Sequence, residues 1–218
     1  MTGGAGGIGG AIVSALTDAG HDVAILDRSG EFAVDLGDEP AVREVAARLG
    51  AQDVLVHAAA AFDRASLEDL DLATWRHVQA VNVESALWLC QALTPAMIER
   101  GFGRIVFITS NTVWRPPAAD FLPYVASKAT LMGIARTLAK PLGAHGVTVN
   151  CVAPGLTRTR FTEADLPSEA FEEVLVRQAL PRSLVPDDVA GVVAFLASDA
   201  ASAITGQTLC ADGGSVFA

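Results

Sequence analysis

The sequence predicts an α/β fold in which helices cover both faces of a doubly wound parallel sheet. Apolar runs of strand length alternate with amphipathic segments of helix length along nearly all of the 218 residues. This alternation is typical of consecutive βαβ units. Hydrophobic residues make up 51% of the chain and aromatic residues only 6%, which suits helices packed closely on a buried sheet. A chain of this length builds one core, so we predict a single domain over residues 1–218.

Six segments have the length and apolar character of strands, and six have the pattern of helices. The predicted strands are residues 21–27, 32–35, 53–57, 104–109, 147–152 and 208–210. The predicted helices between them are residues 9–18, 39–49, 72–100, 123–142, 168–178 and 186–197. Residues 155–181 are the least regular and most polar stretch. Because they follow the carboxyl end of a strand, we predict that they form a substrate lid.

Composition excludes several classes of function. The formal net charge is −10 at pH 7 and the Lys and Arg residues form no cluster, so we expect no binding to nucleic acid or to an anionic membrane. No apolar run reaches membrane-spanning length, and the N-terminus lacks the pattern of a signal peptide. Cys90, Cys151 and Cys210 have no metal-ligand spacing, which predicts reduced thiols, no metal and a cytoplasmic protein.

A glycine-rich segment, TGGAGGIGG, occupies residues 2–10 and precedes the first predicted helix. Glycines let the backbone approach a pyrophosphate closely, and a helix N-terminus presents free N–H groups to that anion. The next predicted strand ends in Asp27, whose carboxylate can hydrogen-bond ribose hydroxyls. These features predict a dinucleotide site, with a plain glycine-rich tail as the alternative. Its predicted residues here are Gly3, Gly7, Ile8, Gly9 and Asp27.

Tyr124 and Lys128 lie four residues apart, so on a helix they share one face. A phenol with a pKa near ~10 is a poor proton carrier at neutral pH, and a nearby cation favours its phenolate. Tyr124 is the only tyrosine, and Lys128 is one of two lysines in a chain that otherwise uses arginine. We therefore predict a proton-transferring pair; the alternative is an ordinary exposed helix face.

The glycine spacing and the Tyr-x-x-x-Lys pair resemble those of classical short-chain dehydrogenases/reductases, and the similarity runs from Thr2 to the Asp212-Gly213-Gly214 turn. The resemblance implies a Rossmann-like fold and hydride transfer between a nicotinamide dinucleotide and an alcohol or ketone. It implies that Ser110, or alternatively Asn111, holds the substrate oxygen. Asn82 matches the asparagine that holds a proton-relay water; a self-satisfied buried amide is the alternative.

The same resemblance places the cofactor. It implies that Asp35 and Leu36 contact the adenine and that Ala59 binds the cofactor. It also implies that the segment after the strand at 147–152 fixes the nicotinamide through Pro154, Gly155, Thr157 and Thr159. NAD is expected rather than NADP because Asp27 would repel a 2′-phosphate, although Arg28 beside it is a counter-signal. Where the family has Asn-Asn-Ala-Gly, this chain has His57-Ala58-Ala59-Ala60, and we expect a ring nitrogen of His57 to brace the glycine loop.

The predicted substrate is a small, ring-bearing alcohol or ketone, because the chain resembles members that act on secondary and aryl alcohols. Trp114 is expected to lie against the ring, or alternatively to pack under the lid. Two other functions remain open: reduction of a 3-oxoacyl group on acyl carrier protein, and non-catalytic dinucleotide sensing.

Two further expectations rest mainly on the family resemblance. We expect a homotetramer, with contacts from residues 72–100, 123–142 and 215–218. In the family a buried strand precedes the glycine motif, and here only Met1 precedes Thr2. We therefore expect that the first strand is absent from the chain as given, through a late start codon or truncation.

Overall fold

The computed structural model describes residues 1–217 and confirms the predicted α/β fold with a parallel sheet. Ala218, the last residue of the predicted contact segment 215–218, lies outside the described residues. The strands are β1 Leu26–Asp27, β2 Phe32–Ala33, β3 Val54–His57, β4 Gly103–Ile108, β5 Val147–Pro154 and β6 Thr208–Ala211. The helices are α1 Gly7–Asp18, α2 Glu39–Leu49, α3 Leu72–Gln79, α4 Ser85–Arg100, α5 Leu122–Gly143, α6 Arg160–Asp165, α7 Ser168–Leu175 and α8 Pro186–Ala197.

All strand pairs are parallel, in the order β3-β4-β5-β6, with β1 and β2 forming a separate pair. Thr2 joins the two groups through bridges to Leu26 and His57. The predicted strand at 21–27 is reduced to Leu26–Asp27. Met1 and Thr2 lie beside this strand: the amine of Met1 donates to the carbonyl of Ala24, and the N–H of Leu26 donates to the carbonyl of Met1.

The core lies on both faces of the sheet because the side chains of β4 alternate between them. Ile105 and Phe107 pack in the cluster with α2, α4 and α5. Val106 and Ile108 pack in the cluster with α1 and α8. Every residue of β4 and β5 is buried, as expected for central strands covered by helices on both sides. This arrangement brings the carboxyl ends of the strands, and the loops that follow them, to one edge.

The predicted helix at 72–100 is interrupted by a π-helical turn at Ala80–Glu84, which contains Asn82. Hydrophobic periodicity does not reveal a single wider turn, and such turns are frequent at functional sites. The predicted lid region, residues 155–181, contains α6 and α7, whereas the sequence predicted one helix at 168–178. Among the described residues, no helix has both the length and the apolarity needed to cross a membrane.

Candidate functional site

A cavity of about 1280 Å³ lies at the carboxyl edge of the sheet. Loops after β1, β3, β4 and β5 line it, together with the glycine loop, the start of α5, and helices α6 and α7. Ser110, Tyr124 and Lys128 also line it. The structure therefore brings the predicted cofactor residues to one cavity: Gly3, Gly7, Ile8, Gly9, Asp27, Asp35, Leu36, Ala59, Pro154, Gly155, Thr157 and Thr159.

The glycine loop has the shape that a pyrophosphate requires. Gly3 has φ +71°, and a Cβ there would lie 2.6 Å from the backbone nitrogen of Ala59. A Cβ on Gly9 would collide with the carbonyl oxygen of Gly3, so the first turn of α1 can approach the loop only with glycine here. Gly6 caps α1 without a side chain, which leaves the first N–H groups of this 12-residue helix open to an anion. The residues present therefore fit a dinucleotide.

Thr2 braces the glycine loop, a role that we had expected of His57. The Oγ1 atom of Thr2 accepts hydrogen bonds from the backbone N–H groups of Ala58 (3.1 Å) and Ala59 (3.2 Å). The signal in the sequence was the hydroxyl of Thr2 directly before the first glycine of the loop.

His57 instead faces the π-turn: its Nε2 atom lies 2.8 Å from Oγ of Ser85. Because the Ser85 hydroxyl donates to the carbonyl of Val81, His57 must donate through Nε2. Burial, together with the charge of Lys128, lowers the pKa of His57 to about 3. The ring is therefore neutral, and it bonds to Ser85, the first residue of α4.

Asp27 lies at the wall of the cavity, next to the glycine loop. Its Oδ2 atom accepts a hydrogen bond from Ala5 N–H (3.1 Å) and its Oδ1 atom one from Arg28 N–H (2.8 Å). These bonds fix the carboxylate at the end of β1. Arg28 lines the same cavity, so the carboxylate of Asp27 and the positive charge of Arg28 both lie at the end of β1.

Lys128 and Tyr124 lie on α5, and Ser110 follows β4. Lys128 is 2% exposed, and its Nζ atom donates to the carbonyl of Ile108 at 2.8 Å. Nζ lies 5.5 Å from the centroid of the Tyr124 ring. Burial lowers the pKa of Lys128 to about 8.

The pKa of Tyr124 is raised to about 12 by burial, and a hydrogen bond with Ser110 opposes that rise. We had predicted that Lys128 lowers the tyrosine pKa. In the protein alone, removal of the phenol from water outweighs the interactions that favour the phenolate. Tyr124 is therefore protonated at neutral pH.

Asn82 is fully buried, and its amide is satisfied within the protein. Oδ1 accepts from Ala61 N–H at 2.7 Å, while Nδ2 donates to the Ala61 carbonyl (3.0 Å) and to Oγ of Ser127 (2.9 Å). The side chain thus joins the π-turn to α5 and to the loop after β3. It does not line the cavity, and this geometry matches the alternative of a self-satisfied amide.

The structure separates the remaining candidates. Asn111 lines the cavity, but its Nδ2 atom donates to Asp212 at 3.2 Å, so Ser110 is the residue that faces Tyr124. Trp114 is 38% exposed and is not among the described residues that line the cavity. The 3₁₀ turn at Asn111–Val113 separates it from Ser110, and the residues that follow it, Arg115 to Pro117, line the cavity.

Sequence reasoning missed an aromatic cluster beside Tyr124. The ring of Phe62 meets the rings of Tyr124, Phe121 and Phe161 edge to face, with centroids 4.6, 5.3 and 6.0 Å apart. The guanidinium of Arg64 covers Phe121 at 4.5 Å. Arg64 also pairs with Asp165 of α6 at 2.8 Å, which ties α6 to the loop after β3. Phe62 and Phe121 come from two loops and Phe161 from α6, so no spacing in the sequence connects them.

A family model described as enoyl-(acyl carrier protein) reductase matches residues 3–216. The chain is 34% identical, over 238 residues, to a probable galactose dehydrogenase of Rhizobium meliloti; the match covers 98% of this chain and 93% of that protein.

Two solved structures are similar to the chain over nearly its whole length. A blue fluorescent protein from a metagenomic library, in complex with NADPH, has a TM-score of 0.90 and 33% identity, over 99% of this chain and 96% of that one. A 3-oxoacyl (acyl-carrier-protein) reductase of Agrobacterium tumefaciens C58, with NADP bound, has a TM-score of 0.87 and 28% identity, over 98% of this chain and 92% of that one.

Proposed function

Because the chain belongs to the short-chain dehydrogenase/reductase family, we propose that it is an NAD-dependent dehydrogenase of small, ring-bearing alcohols and the corresponding ketones. The observation that carries the proposal is the meeting of Ser110, Tyr124 and Lys128 with the Phe62 ring in one cavity. The three polar groups supply the proton chemistry of alcohol oxidation, and the phenylalanine supplies an apolar wall for a ring.

The proton chemistry follows from the three side chains. A ketone oxygen placed between Ser110 and Tyr124 accepts a hydrogen bond from the serine hydroxyl and a proton from the protonated phenol. In the direction of oxidation, Tyr124 takes that proton back from the alcohol. A bound nicotinamide dinucleotide supplies or accepts the hydride. Lys128, fixed on the Ile108 carbonyl beside the tyrosine ring, holds a positive charge at this point and supports negative charge that develops on the phenol.

The cofactor would extend from Tyr124 and Lys128 to the end of β1. The open N-terminus of α1 and the close approach of Gly3 and Gly9 would hold the pyrophosphate, with Thr157 and Thr159 at the nicotinamide end. Asp27 supports NAD over NADP because its carboxylate and a 2′-phosphate carry like charges. Arg28 and the NADP-containing or NADPH-containing relatives are the opposing arguments.

The aromatic cluster of Phe62, Phe121 and Phe161 supports the ring-bearing substrate. An edge-to-face contact of Phe62 with Tyr124 places an apolar surface next to the proton-transferring hydroxyl. A substrate ring packed there gains apolar burial. We therefore assign to this cluster the contact with the substrate ring that we had expected of Trp114.

Reduction of a 3-oxoacyl group on acyl carrier protein is a second candidate, favoured by the family-model description and by one structural relative. Charge argues against it. The chain has a net charge of −10, and five of its acidic residues lie on the predicted lid, where an acidic carrier would approach. These residues are Glu163, Asp165, Glu169, Glu172 and Glu173. Non-catalytic dinucleotide sensing would need neither Tyr124 nor Ser110.

The test is the rate of NAD reduction with 1-phenylethanol-type alcohols, ring-bearing primary alcohols, galactose and 3-hydroxyacyl thioesters. We expect the ring-bearing alcohols to be fastest, and we expect Phe62→Ala to lower their kcat/KM about tenfold, the effect of losing one well-packed apolar wall. Phe195→Ala, a partly exposed position on α8, is the matched control. Faster turnover of the sugar or the thioesters would reassign the substrate, and no turnover of any alcohol would favour the sensing protein.

A further inference from the structure

Ser110 accepts two hydrogen bonds, and both come from Thr112. The backbone N–H of Thr112 lies 3.2 Å from Oγ of Ser110, and Oγ1 of Thr112 donates to the same atom at 2.9 Å. Ser110 has extended backbone geometry, φ −162° and ψ 147°, just before the 3₁₀ turn at Asn111–Val113, which lets the chain fold back over its own hydroxyl.

This arrangement decides which way the Ser110 hydroxyl can act. A hydroxyl has one proton to donate and two lone pairs that accept. Both acceptor positions of Ser110 are filled by Thr112, so only its proton is left for the cavity, where Tyr124 faces it. Donation from Thr112 Oγ1 also polarises the serine O–H bond and strengthens it as a donor.

We propose that Thr112 is a positioning residue that fixes Ser110 as an obligate hydrogen-bond donor to the reacting oxygen. This inference rests on the proposed function, because the benefit lies in the oxygen that gains negative charge when an alcohol loses its proton. A serine free to rotate would spend part of its time accepting a hydrogen bond from the alcohol, which opposes that proton loss. Thr112 removes the unproductive orientation.

The loop that carries both residues is anchored independently of the threonine hydroxyl. Asn111, between Ser110 and Thr112, donates to the buried carboxylate of Asp212. The same carboxylate accepts from the backbone N–H groups of Gly214 at 3.0 Å and Val216 at 2.9 Å. Removal of Oγ1 of Thr112 therefore leaves the loop position and the backbone hydrogen bond in place.

The first experiment compares two variants. Thr112→Val keeps the side-chain shape and removes the hydroxyl, whereas Thr112→Ser keeps the hydroxyl and removes only the methyl group. We expect kcat of Thr112→Val to fall about fivefold, the effect of one ordinary hydrogen bond. KM for NAD should not change, and Thr112→Ser should recover most of the rate. Thr137→Val is the control, because its hydroxyl bonds the Gly133 carbonyl on the exposed side of α5.

The second experiment does not need turnover, since Tyr124 is the only tyrosine. With tyrosine labelled at Cζ with ¹³C, a single resonance reports its ionisation. The groups that face the phenol are Lys128 from α5, Ser110 from the loop after β4, and the uncharged ring of Phe62. Because the Ser110 bond lowers the tyrosine pKa, Thr112→Val should move the titration to higher pH and Thr112→Ser should not.

An unchanged kcat together with an unchanged tyrosine titration in Thr112→Val would overturn the proposal. A Thr112→Ser enzyme as slow as Thr112→Val would also overturn it, because then the shape of the side chain matters and the hydroxyl does not. If the wild type oxidises no alcohol, the proposed function fails, while the tyrosine titration still decides whether Thr112 acts through Ser110.

Discussion

Replacing Lys128 with methionine should stabilise the fold while abolishing catalysis. Lys128 is 2% exposed, and burial lowers its pKa from the ordinary value of 10.5 to about 8, so at pH 7 the folded protein holds an unfavourable buried cation. By proton linkage, that lowering corresponds to about 3 kcal/mol of lost stability. The variant leaves the Ile108 carbonyl without its 2.8 Å donor, which costs about 1–1.5 kcal/mol. The expected net gain is therefore about 2 kcal/mol in the free energy of unfolding.

The gain should depend on pH in a defined direction. Below about pH 8 the folded protein carries the charged lysine, and the full penalty applies. Between about 8 and 10.5 the unfolded chain binds more protons than the folded one, so wild-type stability rises with pH relative to the variant. Above that window the lysine is neutral in both states, and only the lost hydrogen bond remains. There Lys128→Met should be the less stable protein.

The assay is urea unfolding followed by tryptophan fluorescence at several pH values, with equal protomer concentrations for all variants. Lys140→Met removes the only other lysine, which is exposed on the same helix, and serves as the matched control. A Lys128→Met variant that is less stable than wild type at pH 7 would refute the reasoning. So would a stability gain that stays constant from neutral to alkaline pH.

Three other outcomes are expected. Tyr124→Phe should lower turnover by about 10²–10⁴-fold and leave NADH binding, measured by fluorescence, unchanged; a variant with a tenth of wild-type activity would remove Tyr124 from the mechanism. The wild type should use NAD at least about tenfold better than NADP in kcat/KM, which is ~1.4 kcal/mol. Asp27→Ala should shrink this ratio. Equal use of both cofactors by the wild type would mean that Arg28 governs the choice of cofactor. Light scattering should give the mass of a homotetramer, and a monomer at micromolar concentration would contradict that expectation.

The sequence by itself predicted the six strands in their order, the alternation with helices and many of the residues that line the cavity. Helix and strand periods of 3.6 and 2 are local, so they are visible in the chain without its fold. The spacing of Tyr124 and Lys128 follows from the helix period, and the position of Ser110 follows from the end of β4. Parallel strands end at the same edge, so Asp27, at the end of a predicted strand, was expected there as well, whereas Pro154 was placed by the family resemblance.

Only the tertiary structure decided which side chains face each other across elements. Phe62 rather than Trp114 meets the tyrosine ring, and Thr2 rather than His57 braces the glycine loop. The direction of the tyrosine pKa shift also depended on the fold, because burial raises this pKa more than the hydrogen bond with Ser110 lowers it. Such contacts depend on how far each element is rotated and where each loop crosses, and no local pattern in the sequence encodes those quantities.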